Sequence, residues 1–271
     1  MRVPNLFKIA HLGDLETQGK DLMISRLLCF LMFSVSSVAC FAQKSEQDIG
    51  KDIVALYLGA AGLHDDIELQ TYVQSLGMYL TEVAGASDEY DWKFAVMDDG
   101  GINAFAAPGG YVLITKGLFD LLSTEDALAF VLAHEINHVL KKHHLKVIQD
   151  QERMAHVVSK MQESLNVNTE LLSNMNSLFK DMTLKGLDKN AEFESDVAGM
   201  ELSVKAGYSS SAGFDVLFDF LEEQETSNDE LFFKTHPTPS DRIDVLTLHM
   251  TIDYESRDAY SFNSSRINDY K

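Results

Sequence analysis

Ser123-Thr124-Glu125-Asp126-Ala127-Leu128-Ala129-Phe130-Val131-Leu132-Ala133-His134-Glu135-Ile136-Asn137-His138 is the stretch on which the fold turns. Ser123 is a good helix N-cap, and Asp126 three residues on completes an approximate capping box. The apolar run Ala127 to Ala133 then leads without a break into His134, so the stretch predicts a helix that begins after Ser123. On a helix, residues i and i+4 share a face, so His134 and His138 can grip one metal ion. Glu135 lies between them, placed as general base towards the attacking water and then as proton donor. A structural zinc is disfavoured, because such sites are built mostly from cysteine. The only two cysteines, Cys29 and Cys40, lie in an N-terminal segment expected to be removed.

Working outward, Gln47 to Leu63 and Ile67 to Val83 carry apolar residues at helical spacing. In the second, Leu69, Tyr72, Val73, Leu76, Tyr79, Leu80 and Val83 form the stripe expected to face the core. Trp92 to Met97 is a strand candidate, and Asn103 to Ala107 and Tyr111 to Thr115 flank the turn Pro108-Gly109-Gly110. Downstream, Leu145 to Leu187 reads as helical, with stripes Met154, Val157, Met161, Leu165 and Leu171, Met175, Leu178, Met182, either packed as a hairpin or forming an adaptable lid. Asp188 caps a helix running to about Ala206, Ser211 to Glu223 is another, and Ser240 caps one beginning near Asp241. Helices, a small sheet, then mostly helices give an α+β fold, mostly helical with a small mixed sheet, rather than a doubly wound parallel one.

A catalytic zinc takes three protein ligands. His144 falls where some extended motifs place a third histidine, but those need a glycine to turn the chain back, and Lys141 stands there. If the helix continues, His144 is about 80° off the face of His134. It is therefore set aside, and His143 and His144 are expected as a solvated helix end. Glu192 is the other candidate. Glu192, Asp196 and Gly199 share a face at i, i+4 and i+7: a ligand, a carboxylate behind the ligands, and a small residue for close helix approach. Taken alone, that pattern also fits an acidic surface stripe, and Glu194 on the other side reads as exposed.

His134-Glu135-Ile136-Asn137-His138, Glu192 with Asp196, Thr235-His236-Pro237 and Arg242, together with Asn103-Ala104-Phe105-Ala106 and Pro108-Gly109-Gly110, resemble the zinc metalloendopeptidases related to CaaX prenyl protease and HtpX. Within that gluzincin group (metallopeptidase family forty-eight), the likeness is to soluble periplasmic or lipoprotein members of the BepA and LoiP type. It runs from about Gln47 to Met250. It implies a zincin-like fold binding one Zn2+ per chain through His134, His138 and Glu192, with Asp196 orienting a ligand histidine. It implies that His236 stabilises the tetrahedral intermediate or caps the resting metal, and that Arg242 helps to hold developing negative charge. Asn103, Ala104, Phe105 and Ala106 would be the edge on which a substrate peptide lies extended. Asn137 departs from the glycine usual before the second histidine, with little effect expected. No membrane helices or helical repeat follow, so a separate partner-docking domain is not expected.

Composition is consistent with this. A net charge of -20 over 271 residues argues against nucleic-acid partners. Residues 1–42 read as an export signal: Arg26, the apolar run Leu27 to Ala39, then Cys40 and Ala42 at alternate positions. The polar lead Met1 to Leu22 suggests translation from Met23. Ser37-Val38-Ala39-Cys40 also loosely resembles a lipobox, which would tether the protein to a membrane surface through Cys40. The expectation is an exported endopeptidase, residues 43–271, acting on misfolded or misassembled envelope proteins, including outer-membrane ones. Its rivals are an envelope chaperone whose zinc site is latent under His236, and a non-proteolytic zinc hydrolase.

Overall fold

Asp66 opens helix α2 (Ile67–Ala84) by accepting hydrogen bonds from the backbone N–H groups of Glu68 and Leu69, and Gly85 closes it in a left-handed conformation at φ 74°. The computed structural model to which this helix belongs describes residues 44–165, 188–226, 236, 239–253 and 264–271. The expected export segment with Cys29 and Cys40, the second methionine stripe, the side chains of Met154, Val157, Met161 and Leu165, and Thr235 and Pro237 lie outside the described residues. Before α2 comes α1 (Glu46–Ala61), capped by Ser45. Five residues of the expected α2 stripe are buried, Leu69, Tyr72, Val73, Leu76 and Leu80, but Tyr79 is 43% exposed. Its hydroxyl donates to the Ala206 carbonyl instead, which a tyrosine can do while its ring covers apolar surface.

Strands β1 (Lys93–Met97), β2 (Ala104–Ala107) and β3 (Tyr111–Thr115) form one mixed sheet in the order β1-β3-β2. β1 runs parallel to β3, and β2 antiparallel to it with Ala104 opposite Ile114. Gly109 and Gly110, at φ 85° and 93°, make the tight return between β2 and β3. The short helix α3 (Lys116–Leu121), which sequence periodicity does not reveal, follows at once, capped by Thr115.

Helix α4 (Glu125–Leu140) carries the histidine motif and is central among the described residues: every residue from Glu125 to Val139 is buried. A helix that is buried all round must be surrounded. It packs against α2, the sheet, α6 (Lys189–Lys205) and α7 (Ala212–Thr226), most extensively against α6. Its N-cap is Thr124, not Ser123, and the Asp126 carboxylate accepts from the Ser209 backbone N–H rather than closing a capping box. Tertiary contact has taken the polar group that the local pattern assigned to the helix.

The helix does not continue past Lys141. It stops at Leu140, Lys142 adopts a left-handed φ of 57°, and α5 (His143–Leu165) sets off in a new direction. A left-handed residue at a helix end is usually glycine or asparagine. Lys142 takes it here with its ammonium 2.7 Å from Glu46. Helix α8 (Pro239–Asp253) already contains Ser240, so the start inferred at Asp241 is two residues late. A proline at the first helical position carries its own fixed φ and has no N–H to satisfy. A 3-10 helix, Ser264–Tyr270, then returns to the N-terminal end of α4. There Arg266 makes a two-point ion pair with the fully buried Glu125, whose oxygens also accept from Tyr72 (2.8 Å) and Tyr208 (3.0 Å), while Tyr270 stacks on Tyr72. Among the described residues, no helix is long and apolar enough to cross a membrane.

Candidate metal centre

Three elements bring the site together. Helix α4 contributes His134, Glu135 and His138. Helix α6, capped by Asp188, contributes Glu192 and Asp196 from its first turns. The approach to α8 contributes His236, and α8 itself Arg242. α6 can lie this close to α4 because of Gly199: a Cβ there would stand 2.9 Å from the backbone nitrogen of His134. All seven side chains are buried, Glu192 and Asp196 completely.

The Nε2 atoms of His134 and His138 are 2.9 Å apart, and they lie 3.5 and 3.4 Å from the two carboxylate oxygens of Glu192. With His236, these donors all fall within 4.8 Å of one another. Zinc–ligand bonds of about 2.0–2.1 Å place tetrahedral donors roughly 3.3 Å apart, close to these separations. Glu192 Oε1 is buried with no hydrogen-bond partner, a costly arrangement without a cation to face. The nitrogen and oxygen donor set therefore fits zinc.

His134 Nδ1 lies 3.0 Å from Asp196 Oδ1, close but out of line for a full hydrogen bond. Asp196 is itself gripped by Arg242, whose Nε and Nη2 donate to its two oxygens at 2.7 and 2.6 Å. His236 Nδ1 is 2.9 Å from Glu192 Oε2, and its Nε2 is 3.3 Å from the carbonyl oxygen of Ala104 on β2. Asn103, Ala104 and Ala106 are buried and Phe105 is half-buried beneath the ring of Tyr57, 4.0 Å away. Among the described residues no strand pairs with the outer side of β2.

Burial would lower the His134 imidazole, but Asp196 and Glu192 outweigh it and push its pKa up to about 9 in the metal-free site. His138 is driven well down by burial and by the neighbouring His134. Burial opposes ionisation of Glu192, yet the histidines around it hold its carboxyl well below the usual range. Glu135 shifts the other way: its burial raises it, and its Oε2 has no partner. Beside it is a cavity of about 20 Å³, bordered by Phe130, Val131 and His236. That is room for about one water.

His143 and His144 are not a solvated helix end. The turn at Lys142 folds both back against His138, with ring centroids 5.1 and 5.3 Å from it. His144 Nδ1 is buried, and burial lowers its pKa to about 4. The sequence argument against His144 assumed a continuous helix; the helix is broken, but His144 still stands outside the four-donor cluster. Glu194 is half-exposed, as expected, and is bonded to Lys141 at 2.7 Å. The sequence reading missed Ser195, fully buried with its Oγ 3.3 Å from His138 Nδ1. Its only signal was its place on the same helical turn as Glu192.

Residues 68–249 match the family model described as Peptidase family M48. The beta-barrel assembly-enhancing protease of Escherichia coli K12 is 30% identical over 206 residues, covering 73% of this chain and 42% of that protein. A putative beta-barrel assembly-enhancing protease of Vibrio cholerae is 31% identical over 188 residues, 66% of this chain and 38% of that protein. The mitochondrial metalloendopeptidase OMA1 of Schizosaccharomyces pombe is 28% identical over 205 residues, 75% of this chain and 59% of that protein. The matches thus span between about two fifths and three fifths of these relatives' lengths.

Proposed function

The chain belongs to peptidase family M48, and from that premise we propose that it is a zinc-dependent endopeptidase whose metal is held by His134, His138 and Glu192 and whose general base is Glu135. The observation that supports this most is the convergence of those three donors on one point, with the unpartnered Glu135 oxygen beside it. Zinc bound there supplies a Lewis acid that brings a water's pKa to about 7. Glu135 takes the proton of the attacking water and passes it to the leaving amine; its burial raises its affinity for that proton. Asp196 holds His134 Nδ1, so that Nε2 faces the metal. Arg242 keeps a fixed positive charge near the reacting carbonyl, which favours the tetrahedral oxyanion over the planar ground state. A substrate extended along Asn103 to Ala106 would add a strand to the open side of β2.

The substrates we propose are misfolded or misassembled envelope proteins, reached after export directed by residues 1–42. The apolar leader supports the export, and the names of the bacterial relatives support the substrate class. Replacing Glu135 with Gln should abolish casein cleavage by the purified protein while leaving its zinc content at one per chain; cleavage that persists removes Glu135 from the mechanism.

A second reading draws on His236. Its hydrogen bond to Glu192 and the one-water cavity fit a resting site that is closed, as in a chaperone with latent proteolysis. The two roles of His236 predict opposite results. If it plugs the site, His236→Ala raises the rate of casein cleavage; if it stabilises the intermediate, the same change lowers kcat with zinc retained.

A further inference from the structure

We propose that His143 is a positioning residue for the metal site: it accepts a hydrogen bond from Nδ1–H of His138 and so fixes that histidine with Nε2 turned to the zinc. The proposal rests on the reading of His138 as a ligand and adds the group that orients it.

The geometry is specific. His138 Nδ1 and His143 Nδ1 are 2.9 Å apart, a normal hydrogen-bond length between two imidazoles. Such a bond needs one ring as donor and the other as acceptor at those atoms. His138 Nε2 is the atom that faces Glu192 and His134 Nε2. If it gives its lone pair to a metal, the proton of the neutral ring must sit on Nδ1. His143 Nδ1 is then the acceptor, and the His143 proton must be on Nε2. That atom lies 3.4 Å from Glu194 Oε2, a long contact but with the partner needed to hold this tautomer. Glu194 Oε1 in turn pairs with Lys141 at 2.7 Å.

The two ligand histidines are thus backed by similar chains. One runs from His134 through Asp196 to Arg242. The other runs from His138 through His143 and Glu194 to Lys141. Both end on a cation. The first is fully buried, and the second reaches half-exposed groups at the surface. Metal-binding imidazoles generally donate their distal N–H to such a partner, and removing the partner weakens metal binding by roughly 10–100-fold. His143 can serve because of the chain reversal at Lys142: on a continuous α4, a residue five positions after His138 would face about 140° away. Ser195 Oγ, 3.3 Å from His138 Nδ1, is the competing acceptor, and it is also 3.5 Å from His143 Nδ1.

Zinc affinity of the whole protein, measured by competition with a chromogenic chelator, separates the possibilities. His143→Leu should raise the zinc dissociation constant about 10–100-fold. His143→Gln, which keeps an acceptor oxygen, should recover most of that loss, and Ser195→Ala should change it by less than about threefold. A wild-type constant in His143→Leu, a loss in His143→Gln as large as in His143→Leu, or a comparable loss in Ser195→Ala would each overturn the proposal. Nitrogen-15 imidazole spectra of the zinc-loaded wild-type protein test it without substitution: His138 should be protonated at Nδ1 and His143 at Nε2. A His143 ring protonated at Nδ1 excludes it as the acceptor. His138→Ala tells this proposal apart from the reading beneath it. Retention of stoichiometric zinc there means the ligand assignment is wrong, whereas zinc lost in His138→Ala but unaffected in His143→Leu means that only the positioning role is.

Discussion

Asp196 holds two neighbours of opposite kinds, the His134 imidazole and the Arg242 guanidinium, and all three are buried. Burial resists its ionisation, and Arg242 more than compensates, keeping its carboxyl below the ordinary value. Two substitutions separate its duties. Asp196→Asn retains an oxygen for Arg242 but weakens the hold on His134, so zinc affinity should fall about 10–100-fold with the fold intact. Asp196→Ala also strands a buried guanidinium, and breaking a buried pair in this way costs about 3–5 kcal/mol. Chelator competition and chemical denaturation of the two variants check both statements; equal stability of the two would mean that Arg242 finds another partner. At this scale much was legible in sequence: His134, Glu135 and His138 follow from a spacing that only a helix makes meaningful. Glu192 and Asp196 do so less, since their stripe alone reads equally well as surface. His143 was read wrongly, because its position depends on a backbone angle that a lysine does not advertise.

Between elements, the decisive contact is the crossing of α4 and α6. It carries Glu192 and Asp196 to the histidines, and its closeness depends on Gly199. A Cβ there meets backbone rather than a movable side-chain end, at 2.9 Å from His134 N and 3.1 Å from its Cα. Gly199→Val should therefore push the helices apart, lowering stability by about 1–3 kcal/mol and zinc affinity with it. Denaturant midpoints and metal content check this together, and an unchanged metal content would mean that the site tolerates a wider crossing. The helices and strands were largely legible, since the Asp188 cap, the apolar stripe of Ile67 to Val83 and the turn Pro108-Gly109-Gly110 are local signals. The turn between α4 and α5 was not. Lys141-Lys142 lacks glycine, and the left-handed φ of Lys142 is held by contacts such as its pair with Glu46, 96 residues away.

For the molecule as a whole, the buried charge at the start of α4 ties stability to pH. Burial raises the Glu125 carboxyl, but Arg266, Tyr72 and Tyr208 together lower it below its ordinary value. A lowered carboxyl contributes stability above its unfolded pKa, and that contribution is lost as pH falls through the folded value. Arg266→Leu should thus cost most near neutral pH. The side chain of Arg266 is 49% exposed, so the cost is discounted to about 2 kcal/mol. That corresponds to a drop of about 4–8 °C in Tm, narrowing as the pH is taken below about 4. A gap that stays constant from pH 7 to 3 would mean that Arg266 acts through packing alone. Nothing local in the sequence links Glu125 to Arg266, because the pair spans 141 residues.

That separation also has a consequence in time. A ribosome adds about 5–20 residues per second, so over the 141 residues between them the charge on Glu125 is made about 7–28 seconds before the arginine that neutralises it. Until Arg266 emerges, enclosing α4 means burying a carboxylate that Tyr72 and Tyr208 can bond but no cation balances. The nascent chain is thereby biased against enclosing α4 before residue 266 is made.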